Sequence, residues 1–361
     1  MFDFSLTDEQ ELLLRTARSF AENELAPNLR SAEAARGVTA SVRAAYARIG
    51  LGGIELPTAF GGAGLGALPR VLINEELAAA DAGATLALDG LGPALCVLQS
   101  LGGDSAIEQL IAPLLSQPQA RALVVTSADG AFEFSDTSVS GTVAWVPADR
   151  VDVLVVLHDQ GASVVCGDIA LQRVPGSGLR AAGASALLLR DLPIAWRCDD
   201  AAKVRTALAH ARLYVASLLI GVLRHACDYS RRYAMEREAF GKPIAHHQAL
   251  AFLITDMNSA VCGARLLVHE AAGRAERGLQ FESAAASAFV EAVEASHLVG
   301  PASVQILGGH GFMQDHPVEK AMRESRALGL LLGGVDAARE DAGRTLCEAT
   351  LPLALSATEA V

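Results

Sequence analysis

The chain predicts a mainly helical α+β protein whose strands are gathered in one stretch between two helical stretches. Three observations carry this reading. Apolar residues in the first 120 positions recur at helical spacing, the pattern switches near residue 121 to short β-prone runs cut by turn residues, and long apolar stripes return after Ala201. The implied organisation is a helical domain over 1–120, a small antiparallel β domain over 121–198 and a helical domain over 199–361.

Thr7 followed three residues later by Gln10 is a capping-box signal, and Leu13, Ala17, Phe20 and Ala21 then keep one apolar face up to Pro27. Further helical patterns fall at about 39–50, 69–80, 91–100 and 104–115, interrupted by the glycine-rich turn FGGAGLG at 60–66, and the AAAD run at 78–81 reads as a helix end. Strand signals follow at 122–126, 143–146, 151–157, 163–166 and 185–189, and the β stretch closes near Trp196, read as a packing residue. In the last helical stretch Leu250, Leu253, Ile254, Met257, Val261, Ala264 and Val268 share one stripe.

Composition excludes several classes of function. A net charge of −12 without a basic stripe argues against a nucleic-acid partner. Hydrophobic residues make up 51% of the 361 positions, yet no uninterrupted apolar run approaches the ~18 residues of a membrane span. The nearest, YVASLLIGVL at 214–223, lies between Arg212 and Arg224 and reads as a buried helix. The opening MFDFSLTDEQ is acidic where an export signal is basic, so a cytoplasmic protein is expected. The six cysteines are scattered singly, and His210, His225, His246, His269, His297, His310 and His316 keep no metal-ligand spacing; reduced thiols and no metal site are expected.

Two segments carry chemistry. In EREAFGKPIAHHQ (236–248), Gly241 and Pro243 break a helix beside Arg237, which can meet an anion through paired hydrogen bonds or stay solvated at a helix corner. In QILGGHGFMQDHPVEKAMR (305–323), Gly308, Gly309 and Gly311 let another molecule approach the backbone closely, with Gln305 as donor and acceptor.

In this order the two segments closely resemble the acyl-CoA dehydrogenase family, as do FSLTDEQELLLRTARSFAENELAP at the start, IGLGGIELPTAFGGAGLG at 49–66 and EELAAAD at 75–81. The resemblance implies an N-terminal helical domain, a middle β domain and a C-terminal four-helix bundle. It implies FAD as cofactor and an acyl-CoA substrate, with a glutamate taking the α proton while the β hydrogen leaves as hydride. It implies a tetramer and an electron-transfer flavoprotein as electron acceptor. It also implies an FAD lying across a subunit interface, where Arg237 pairs with the pyrophosphate, Phe240 packs at the adenosine, His247 and Gln248 line the groove, and Gln305, Gly308 and Gly309 meet the adenine end. Trp145, in SGTVAWVPADR, stands at the family's flavin-facing strand.

The remaining half of the family pattern is altered. The T-E-P-x-x-G-S-D loop reads TSADGAFEFSD at 126–136, and Pro147, which has no N–H, replaces a hydrogen-bonding threonine. The family's two positions for the catalytic glutamate fall on Leu332 and Ala211, the latter just ahead of Arg212, while Gly334, Val335 and Asp336 stand on the T-S-Q that touches FAD. No catalytic base is assigned, and general-base assistance is worth ~10²–10⁴-fold in rate. The leading expectation is a subunit that completes the FAD site of a paralogous partner in a heterotetramer. The alternatives are a homomeric enzyme with a displaced base, for which Asp336 and Glu340 are the nearest carboxylates although surface charge is the plainer reading of both, or a non-catalytic scaffold.

Overall fold

Thr7 starts the first helix as its capping box requires: Thr7 Oγ1 accepts from the Gln10 amide at 3.2 Å, and Gln10 Oε1 accepts from the Thr7 amide at 3.1 Å. The structure, a computed structural model, describes residues 6–167 and 169–348. Residues 1–5, which open the segment read for charge and family likeness, lie outside these, as does the end of the 199–361 stretch beyond residue 348. Helices α1 (Asp8–Phe20), α2 (Leu29–Ala35), α3 (Ala40–Ile49), α4 (Ala67–Leu88) and α5 (Gly92–Leu110) form the first layer.

Helix α4 is almost wholly buried and breaks at Asp81, whose extended backbone (φ −161°, ψ 106°) ends one helical run. Its Oδ1 then caps the next run, accepting from the Ala84 amide at 2.9 Å, so the helix end expected at 78–81 is a break inside one longer element. The runs expected at 91–100 and 104–115 likewise merge into α5, bent at Gly103 (φ 61°).

The strands are β1 (Ala122–Thr126), β2 (Ala131–Phe134), β3 (Ser138–Val146), β4 (Val153–His158), β5 (Gly161–Cys166), β6 (Ala170–Arg173) and β7 (Ser185–Cys198). They form one sheet in the order β1-β4-β5-β7-β3-β2, with β6 also on β7. The 14-residue β7 bridges its two halves, pairing with β5 near Cys198 and with β3 near Ser185. The expected purely antiparallel sheet is corrected at one edge, where β1 pairs with β4 in parallel. The reason lies in β4: every residue of VLVVLH is buried, and a strand covered on both faces shows an apolar run without direction. The edge strands β2 and β6 are mostly exposed and lack the alternation that would mark them.

Asp200 caps the first bundle helix, its Oδ1 accepting from the Ala202 amide at 2.9 Å. The bundle comprises α6 (Ala201–Glu236), α7 (Gln248–Glu276), α8 (Glu282–Leu307), α9 (Val318–Leu328) and α10 (Gly334–Glu348), with a two-residue hairpin, β8 (Glu238–Ala239) and β9 (Lys242–Pro243), after α6. The bundle is tied to α4 by the fully buried Glu75, which accepts from Arg265 Nε at 2.7 Å and lies 2.6 Å from His269 Nε2, both on α7. Although no unbroken apolar run reaches span length, α6 and α7 each hold an 18-residue window apolar enough to cross a membrane. In α6, 83% of that window is buried and serves the core; in α7 only 22% is, and Phe252, Leu266 and Leu267 face outward.

Candidate active-site cavity and nucleotide groove

Between the sheet and the bundle lies a cavity of about 590 Å³, walled by β1, β3, α6, α8 and the turn that joins α9 to α10. Both positions expected for a catalytic glutamate line it: Ala211 from α6 and Leu332 from the turn. Each is buried and aliphatic, so neither wall offers a proton acceptor there. Leu332 adopts a left-handed backbone (φ 59°), which costs a branched side chain roughly 1 kcal/mol. Gly333 follows at φ 78°, and a Cβ there would sit 2.9 Å from the Cβ atoms of both Ala128 and Ala337, which only glycine permits.

A carboxylate does enter the cavity, from the opposite wall. Asp129 Oδ2 accepts from the Thr126 amide at 2.7 Å and from Thr126 Oγ1 at 3.0 Å, and its Oδ1 accepts from the Gly333 amide at 2.8 Å. This staple joins the altered TSAD turn to the residue after Leu332. Burial raises the Asp129 carboxyl above the usual range, in spite of these three donors. At the far end of β1, Arg121 is buried and also lines the cavity; Nη1 donates to the Ala182 carbonyl at 3.1 Å and Nη2 to the Pro147 carbonyl at 2.5 Å.

The second group of expected site residues lies on the surface. Tyr233 Oη and His310 Nδ1 are 2.8 Å apart, as are Tyr229 Oη and His316 Nδ1, so the end of α6 and the glycine-rich turn at 308–312 are held together. This contact brings the Arg237 and Gln305 segments to one end of the bundle. Arg237 is exposed and enters no ion pair among the described residues. Gln305, Gly308 and Gly309 are exposed as well, with open space where a Cβ would stand on either glycine. Phe240 and Gly241 form the hairpin turn with φ of 53° and 79°, and Phe240 is 96% exposed. A bulky residue held at positive φ and turned to solvent is an outlier of the kind found where a side chain is presented to a partner. His247 Nε2 contacts the Ala239 carbonyl at 3.1 Å and its ring meets Phe240 edge-on, which steadies the turn, and Gln248 opens α7 beside it.

Asp336 and Glu340 are surface charges, as their plainer sequence reading has them. Asp336 sits at the cavity mouth with its side chain 93% exposed, and Glu340 faces solvent beside Arg344, so neither reaches the interior. The carboxylate beside Leu332 is Asp129, which the sequence reading passed over; the Thr-x-x-Asp spacing after a strand was the available signal. Arg121 was also missed, since nothing in a sequence tells a buried arginine from a surface one. Trp145 lines the cavity, whereas Arg212 turns away to Asp341 at 2.6 Å. No group of three or more potential metal ligands occurs among the described residues.

A largely apolar chamber between sheet and bundle, with an exposed arginine, an outward aromatic ring and a glycine-rich turn gathered at the bundle's end, is the arrangement of an enzyme scaffold. The family profile "Acyl-CoA dehydrogenase, N-terminal domain" matches residues 7–117, and "Acyl-CoA dehydrogenase, C-terminal domain" matches 202–347. The chain belongs to the acyl-CoA dehydrogenase family. It is 29% identical over 359 residues to the acryloyl-CoA reductase (NADH) of Anaerotignum propionicum, covering 90% of this chain and 91% of that one. It is 26% identical over 360 residues to the short-chain-specific acyl-CoA dehydrogenase of Clostridium acetobutylicum, covering 90% and 94%. The butyryl-CoA dehydrogenase of Megasphaera elsdenii shares the fold, with a TM-score of 0.84 at 22% identity over 96% of this chain and 100% of that one.

Acyl-CoA dehydrogenases are FAD-dependent oxidoreductases, and the two halves of this chain fit that cofactor unequally. The exposed surface at the bundle's end suits an adenosine diphosphate: an arginine with no ion pair among the described residues, an unobstructed glycine backbone and an outward aromatic ring. The cavity wall suits a flavin ring poorly. Flavin oxygens and nitrogens accept hydrogen bonds, but the donors of Thr126 and Gly333 are taken by Asp129, and Pro147 has none.

Proposed function

We infer that this chain is an acyl-CoA dehydrogenase subunit without its own catalytic glutamate, which completes the FAD site of a paralogous partner in a heterotetramer. The observation that carries the reading is the contrast between the two half-sites: exposed Arg237, Phe240, Gln305, Gly308 and Gly309 at one end of the bundle, and a cavity whose two base positions are Leu332 and Ala211. In such an assembly Arg237 neutralises the pyrophosphate, Phe240 and His247 flank the adenosine, and Gln305, Gly308 and Gly309 meet the adenine, while the partner supplies the flavin wall and the base. Bound FAD contributes hydride acceptance, and an electron-transfer flavoprotein takes the electrons onward. A cytosolic location and the partition into 1–120, 121–198 and 199–361 belong to the same proposal.

The test is the visible spectrum of the chain purified alone and co-purified with a paralogue that retains the glutamate. Flavin is expected only in the pair, near one per two chains. A yellow preparation of the single chain that dehydrogenates acyl-CoA at ordinary speed overturns the reading. That outcome supports a second one, a self-sufficient enzyme with a displaced base, which Asp129 favours: its carboxylate lies beside Leu332, and three of its four acceptor positions are used. An Asp129→Asn change would then abolish turnover without loss of flavin.

A further inference from the structure

Four cations are buried among the described residues: Arg70, Arg121, Arg212 and Lys320. Three are matched by carboxylates. Arg70 meets Glu55 at 2.7 Å and Asp89 at 3.2 Å, Arg212 meets Asp341 at 2.6 Å, and Lys320 meets both Asp81 and Glu324. Arg121 has two backbone carbonyls and no ion pair among the described residues, so its charge is not neutralised at contact distance. Burying a charge without a partner is costly, and a fold that matches its other buried cations leaves this one turned to a cavity. Two of its five N–H donors go to those carbonyls. Burial pulls the Arg121 guanidinium down to about 10, offset in part by the charge of Asp149.

Position along β1 says what could reach it. Thr126 Oγ1 lies 3.4 Å from the Cβ position of Gly333, beside Leu332, and Arg121 is five residues earlier at the head of the same strand. An extended strand rises ~3.3 Å per residue, so Arg121 and Thr126 stand about 16 Å apart along the cavity wall. Between them the wall is apolar, with Leu123, Val125, Val143, Val215 and Val293. The geometry points to a carboxylate subsite: the cavity takes a linear apolar chain whose innermost end is a carboxylate held by Arg121. The site rests on this chain's own cavity and is independent of the partner reading. Its ligand is either a free long-chain acid inserted carboxylate first, or the acyl group of a thioester whose far end carries a second carboxylate.

Trp145 lines the cavity and reports occupancy by fluorescence without any turnover. The purified protein would be titrated with decanoate against 1-decanol, and with decanedioyl-CoA against decanoyl-CoA. Charge-assisted hydrogen bonds predict an about tenfold to hundredfold preference for the carboxylate-ended member in at least one pair, and the pair that shows it identifies the source. Arg121→Met removes that preference and leaves the neutral member's affinity within about twofold, a selectivity that a purely structural role would not produce. If Arg121→Met does not fold, the preference in the wild type and its retention in Arg121→Lys decide. Equal affinity within both pairs, no binding by any probe, or a preference that survives in Arg121→Met overturns the subsite.

Discussion

Glu324→Gln should change how stability depends on pH. Lys320, Asp81 and Glu324 are buried where α9 crosses the break in α4, with Lys320 Nζ 3.0 Å from Asp81 Oδ1 and 2.5 Å from Glu324 Oε1. Burial drives the Glu324 carboxyl from 4.5 up to about 7, with Lys320 opposing and the Asp81 charge adding to the rise. Glu33 on α2 adds to it too, and His225 on α6, itself held down to about 4 by burial, faces the same small pocket. A carboxyl whose folded value is raised favours the fold in its protonated form. Its contribution is complete below about 4.5 and is lost as the pH rises through about 7. The difference, 7 minus 4.5, is about 2.5 pH units, and at ~1.36 kcal/mol per unit the full loss is ~3 kcal/mol. Glutamine keeps the neutral shape and cannot ionise. Unfolding midpoints of wild type and Glu324→Gln should therefore converge below about pH 4.5, draw apart between about 4.5 and 7, and keep a constant gap above that, with the variant ahead. Parallel curves across that range would refute the assignment of a raised carboxyl. Lys320→Met, which strands Asp81, should instead cost ~3–5 kcal/mol at neutral pH.

Arg237→Ala should weaken the binding of ADP, or of FAD in a flavin-bearing assembly, by about tenfold or more, the value of one charge-assisted contact, and more at low than at high salt; calorimetric titration checks both. Asp129→Asn should narrow its stability deficit against wild type as pH rises, because the raised folded carboxyl makes wild type lose stability in that direction; paired denaturation curves at about pH 4 and 7 measure it. Gly308→Ala has room for its methyl but must hold φ of 59° with ψ of −135°, a cost of ~1–3 kcal/mol that thermal unfolding would show.

The order of helices, strands and helices was legible because period 3.6 and period 2 are written in apolar spacing, and the Thr7 cap is local. Strand direction at the β1–β4 edge was not, since VLVVLH reads the same in either orientation. In the candidate site, the exposed residues at the bundle's end were the easier half to bring together from sequence. They sit in two continuous motifs, and Tyr233 with His310 brings those motifs together. The cavity was harder because it is assembled across elements. Arg121 and Leu332 stand more than two hundred residues apart, and only burial shows that the one is a charge and the other a hydrocarbon at two ends of a single space.

Leu332 and Asp129 are best understood together. In the family pattern the acidic side chain belongs at position 332, on the bundle's wall. In this chain that position is a hydrocarbon held in a left-handed conformation, and an acidic side chain reaches from the sheet to the next amide in the same turn. The staple supplies hydrogen bonds that help hold the strained turn, and it does so with the Thr126 and Gly333 donors that a flavin ring would otherwise meet. On the proposed reading, the absence of a base at position 332 and the occupied Thr126 and Gly333 donors are then one change. A Leu332→Glu substitution alone would set a second carboxylate beside Asp129 and make each carboxyl harder to ionise, leaving the donors occupied. Recovery of a family-like site in this chain would require Asp129 and Leu332 to be exchanged in character at once, with no more than a few per cent of activity expected from either change alone.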